Sequence, residues 1–103
     1  MIYTQLSKEY KYDTLADAIF AREIEYFHYD FDRINFSYLL NVTTDEKSRE
    51  DLNERYNSTV HQMKFVVNIM EALRAQIDDE VAYAEAVDRA VKKRALEKQE
   101  AKK

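Results

Sequence analysis

Apolar residues fall on two opposite sides of one predicted helix spanning residues 14–41. Phe20, Ile24, Phe27, Phe31, Ile34 and Tyr38 are spaced 4, 3, 4, 3 and 4 residues apart, the repeat of a helix packed against one neighbouring helix. At ~100° per residue, Ile19, Tyr26, Tyr29, Phe36 and Leu40 lie on the other side, so a single partner helix cannot cover both sets. Each large side chain left in water forgoes roughly 1.5 to 3 kcal/mol of burial. The first stripe is therefore expected to be the internal seam. The second, Ile19, Tyr26, Tyr29, Phe36 and Leu40 with Arg33 beside them, is expected to be an interface with another chain.

Upstream, residues 1–13 mix Ile2, Tyr3, Leu6, Tyr10 and Tyr12 with polar groups and fit neither the helical nor the alternating pattern throughout. They predict an N-terminal arm. Asp13 or Thr14 caps the central helix, which ends near Asn41, where Thr43 and Glu46 form a capping box in a cluster of turn residues. A second helix follows with a seam at Leu52, Tyr56, Thr59, Met63, Val66, Met70, Leu73 and Ile77, again at spacings of 4 and 3. So short a connection joins antiparallel neighbours. The same pattern continues through Val81, Ala84, Val87 and Val91, beyond the reach of the first helix, where the arm or a second subunit must cover it.

The expected architecture is thus all-α: an arm at residues 1–13, a helical hairpin domain with a long second helix at 14–91, and a basic helical tail at 92–103, assembled into an oligomeric helix bundle. Composition strengthens the reading. In 103 residues there is no Gly and no Pro, which removes the residues that tight β-turns require. The absence of Cys removes disulfides, thiolate metal sites and a cysteine nucleophile. Without Gly there is no phosphate-binding loop, dinucleotide fingerprint or EF-hand loop. The net charge of -4 divides into +4 on residues 92–103 and -8 on the remainder, and so acidic a body disfavours nucleic acid. No apolar run resembles a signal peptide or a membrane span, so a cytoplasmic, soluble protein is expected.

Chemistry has few candidates. The serines at positions 7, 37, 48 and 58 lack a nucleophile-elbow sequence, and His28 and His61 are the only histidines. Glu25 and His28 form an E-x-x-H followed by Asp32, all on one side of a helix, in the manner of ferritin-like carboxylate and histidine metal bundles. The second helix supplies no matching pair, and a polar flank between two apolar faces needs no metal. The tyrosines of the central helix also suit capture of a flat ring such as a nucleotide at a subunit interface. Tyrosine is equally suited to subunit contacts, where it buries area while its hydroxyl finds a partner. By elimination, the sequence points to a non-enzymatic helical assembly or adaptor protein without a cofactor, acting by protein–protein interaction as a homo-oligomer or within a larger complex. Its size and coiled-coil-like pattern suit a virus-encoded accessory or structural component. The metal protein and the ring-binding protein are the alternatives.

Overall fold

The computed structural model describes the backbone of residues 2–101 and the side chains of residues 8–101. It contains three helices, α1 (Ile2–Val42), α2 (Glu46–Arg74) and α3 (Glu80–Ala101), and no strand among the described residues. The all-α expectation holds, while three boundaries differ from the sequence reading. The arm is helical from Ile2 and continuous with the central helix. The side chains of Ile2, Tyr3 and Leu6 lie outside the described ones, as do residues Lys102 and Lys103. The long second helix is interrupted at residues 75–79. The connection between α1 and α2 is capped by Asp45, which accepts the Ser48 amide and hydroxyl hydrogens at 2.9 and 2.6 Å, and not by Thr43. Arg49 donates to the carbonyls of Leu40 and Thr43, satisfying acceptors that the last turn of α1 leaves open.

The chain divides into two compact units, Met1–Phe20 with Ala72–Lys103, and Ala21–Glu71. In the first, Tyr12, Leu15 and Ala16 pack against Ala86, with Leu73, Ile77, Ala82, Tyr83 and Val87 around them. Tyr12 of the arm therefore packs, as part of a helix, on the segment that follows α2, and of Val81, Ala84, Val87 and Val91 only Val87 is drawn in. The pattern itself changes phase there. Val81, Ala84 and Val91 are exposed and Ala86 is buried, because the interruption at 75–79 restarts the helix in a new rotation. Asp79 causes the restart: its carboxylate accepts the Ala82 amide hydrogen at 3.1 Å and its carbonyl accepts that of Tyr83 at 3.0 Å, the geometry of an N-cap. Glu80 then occupies the first turn of α3, where its charge suits the helix dipole.

Side chains of α1 fasten this junction. Tyr12 donates its hydroxyl hydrogen to Asp78, Lys8 pairs with Asp79 at 2.5 Å, and Arg89 holds Asp13 through two nitrogens at 2.7 and 3.0 Å. The Tyr12 hydrogen bond, and then the charge of Lys11, hold the Asp78 carboxyl below its ordinary 3.8; the Lys8 hydrogen bond does the same for Asp79. Lys8 is raised above 10.5 by its hydrogen bond to Asp79, and Tyr12 above 10.0 by its hydrogen bond to Asp78. Depressed carboxyls add stability that is complete above 3.8 and lost as pH falls through their folded values. A raised ammonium and phenol add stability that is complete below about 10 and lost as pH rises through theirs. The protection of the amides at residues 75–82, measured against their intrinsic exchange rate at each pH, is thus expected to stay constant between these limits and to fall beyond either. Acid-side loosening that sets in near neutrality, where neither carboxyl titrates, contradicts this account.

In the second unit the α2 seam is as expected: Thr59, Met63 and Val66 are buried and Leu52, Tyr56 and Met70 half-buried. The buried Thr59 hydroxyl is satisfied by donating to the Arg55 carbonyl at 2.8 Å. What faces this seam is the opposite side of α1 from the one expected. Tyr26 and Arg33 share a recess with Val60, Met63 and Val67, and Asp32 and Phe36 share another with Arg55 and Thr59.

Candidate functional site

The site is the face of α1 that nothing within the second unit covers. Ile24 is 47% exposed, Phe27 67%, Phe31 67%, Ile34 52% and Tyr38 64%. Their spacing of 3, 4, 3 and 4 places all five within one narrow stripe of a helix. Fully enclosed aromatic side chains bury about 150 to 250 Å² each, so at these exposures the stripe presents roughly 500 Å² of apolar surface. That is near the upper end of what monomers leave in water.

The two faces of α1 are therefore exchanged relative to the sequence reading. Of the expected interface, Ile19 is only 1% exposed, within the first unit, and Tyr26, Tyr29, Arg33, Phe36 and Leu40 are half-buried. Arg33 is committed internally, pairing with Asp30 at 2.9 Å, and the hydrogen bond it donates to Asp30, followed by the one it donates to Tyr56, raises its pKa. Of the expected seam, Phe20 alone is covered among these six, with the Arg94 guanidinium 4.6 Å above its ring. That contact gives the basic tail a packing role that its charge pattern does not announce.

The polar candidates are not brought together. Glu25 pairs with Arg22 at 2.8 Å, His28 is exposed, and Asp32 is exposed at the edge of the recess beside Phe36. Among the described residues no three His, Asp or Glu side chains form a group able to hold a metal ion.

The tyrosines offered for ring capture are likewise divided. Tyr26 meets Phe27 edge-on at 6.3 Å and 74° and lines a shallow recess of about 300 Å³ with Arg33 and Lys64, of which Tyr29 and Phe36 are not walls. A second recess of about 290 Å³ in the first unit contains Lys8, Asp79 and Arg89, whose charges are taken up in the ion pairs described above. Neither recess sets a nucleophile beside a base. Among the described residues no helix is long and apolar enough to cross a membrane.

Comparison with protein-family models, curated proteins and solved structures finds no match to this chain.

Proposed function

We propose that this chain is a non-enzymatic helical assembly protein that self-associates through the Ile24, Phe27, Phe31, Ile34 and Tyr38 stripe of α1. The observation that carries the reading is that five large apolar side chains at coiled-coil spacing are all about half exposed or more. The second unit is then an antiparallel helical hairpin with one face spent on its own α2 seam and the other turned outward. Two copies laid stripe to stripe remove roughly 1,000 Å² from water before their flanks are counted, about the minimum of a specific interface. The stripe also repeats with the period that lets one copy interlock with another. An interaction protein of this kind needs neither cofactor nor metal, and the acidic body gives nucleic acid little to bind.

Multi-angle light scattering at micromolar concentration is expected to return at least twice the chain mass of 12.3 kDa. A monomeric mass throughout that range overturns the proposal.

A further inference from the structure

The break between α2 and α3 interrupts a pattern that the sequence carries straight through. Leu73, Ile77, Val81, Ala84 and Val91 follow one another at spacings of 4, 4, 3 and 7, the phase of one helix running on from α2 into α3. Residues 75–79 hold no Gly or Pro, and no described residue has a positive φ, so nothing in this backbone forbids helix. The Gln76 and Ile77 amides still donate to the Leu73 and Arg74 carbonyls at 3.1 and 3.0 Å, a tightened last turn. The turn lapses only at residues 77–79.

Side chains hold it there. Asp79 caps α3 through the Ala82 amide and is gripped by Lys8. Asp78 accepts the hydroxyl hydrogen of Tyr12 and lies 3.7 Å from the Lys11 ammonium. All of these contacts end on two adjacent carboxylates.

The break also decides where α3 packs. Leu73 before it and Ala86 after it both belong with Tyr12, Leu15 and Ala16 in one cluster. In a continuous helix positions 73 and 86 stand ~20 Å apart along the axis, so a chain whose α2 and α3 fuse cannot keep both on its own cluster. Its α3 leaves, and the surface already shaped to receive it is the same cluster of a second copy. Such an exchange returns Ala86 to its neighbours and requires only that residues 75–79 become helical, a low-cost route to a dimer. Fusion also brings Val81 and Val91, 70% and 54% exposed in the closed chain, into line with Leu73 and Ile77.

We propose that Asp78 and Asp79 are a latch that keeps the α2–α3 helix broken and α3 on its own chain, and that without them α2 and α3 fuse and two copies exchange α3. The exchange uses no residue of the exposed α1 stripe and stands apart from the self-association proposed above.

The test uses the full chain carrying Phe27→Glu and Phe31→Glu, so that association through the stripe is removed. Glu9 and Glu85 are exposed walls of one recess in the first unit. Because the chain has no cysteine of its own, Glu9→Cys and Glu85→Cys let a short bis-maleimide join α1 to α3 at these two points alone. Mass measured under denaturing conditions then reads whether the joined helices belong to one chain or to two. With Asp78 and Asp79 in place, the joined product is expected near the single-chain mass of 12.3 kDa. With Asp78→Ala and Asp79→Ala, unfolded and refolded at high concentration, the mass is expected to double and the helical signal in circular dichroism to be at least as strong. Adding Glu80→Pro to that variant is expected to restore the single-chain mass, since proline is tolerated in the first position of a helix but not within a continuous one.

A single-chain product from the Asp78→Ala, Asp79→Ala variant, whether its helical signal is kept or lost, overturns the proposal. So does a doubled mass in the chain that retains both aspartates, which shows α3 exchanged with the latch in place. A doubled mass that survives Glu80→Pro overturns it as well, because the exchanged pair then needs no fused helix.

Discussion

Ile19→Ala is expected to destabilise the fold by roughly 2 to 5 kcal/mol and to leave the oligomeric state of the folded fraction unchanged. Ile19 is 1% exposed, so truncation removes about three methylene equivalents of burial and leaves a space that a helical neighbourhood fills incompletely. The better helix propensity of alanine offsets a few tenths of a kcal/mol at most. For a domain of this size the loss lowers the melting temperature by roughly ten degrees or more, which calorimetry or circular dichroism reads directly. Phe27→Ala provides the contrast. With two-thirds of its side chain already in water, it is expected to change monomer stability by less than about 1 kcal/mol. A small loss at Ile19 with a large one at Phe27, measured under monomeric conditions, contradicts the assignment of faces.

Phe27→Glu combined with Phe31→Glu is expected to abolish self-association while preserving helical content. Each phenylalanine that leaves water on assembly contributes roughly 1.5 to 3 kcal/mol, and a pair of copies buries four of them. Replacing all four with carboxylates is expected to weaken association by at least about a thousandfold. The opposite change, Tyr29→Glu with Phe36→Glu, falls on half-buried positions of the face that packs on α2. It is expected to melt the Ala21–Glu71 unit and so lower the helical signal. If the second pair dissociates the assembly and leaves the fold intact, the outward face of α1 has been misidentified.

Much of the fold was legible in the sequence. The lack of Gly and Pro pointed to helices, the turn cluster at Asn41 to Asp45 marked the first connection, and the 4 and 3 spacing gave the α2 seam from Leu52 to Met70, while the same run carried on through Ile77, past the end of α2. The faces of α1 were not legible from residues 14–41 alone, since both stripes there are equally apolar. The deciding information lies upstream. Tyr12, Leu15, Ala16 and Ile19 are buried and continue at helical spacing into Tyr26, Tyr29, Arg33, Phe36 and Leu40. Traced backward, the other stripe runs from Phe20 into Asp17 and Asp13. Reading residues 1–13 as an arm cut the longer stripe and hid its phase.

The interruption before α3 was missed for a related reason. Asp78-Asp79-Glu80 resembles a solvated acidic run, but two consecutive N-cap residues ahead of a first-turn glutamate also describe a helix start. Val81 and Val91 beyond it were therefore assigned to a seam they do not join, whereas Val87 does pack against the core. Of the candidate site, the stripe itself was visible, whereas its exposure depends on which side α2 occupies.

Sedimentation velocity of the wild-type chain over a dilution series, run beside Phe27→Glu with Phe31→Glu, tests the central claim most directly. The expected result is a wild type that sediments as a dimer or larger species at micromolar concentration and shifts toward the monomer on dilution, with the variant monomeric throughout and equally helical. A wild type and variant that sediment identically, whether both as monomers or both as oligomers, would contradict the assignment of the α1 stripe as the assembly surface.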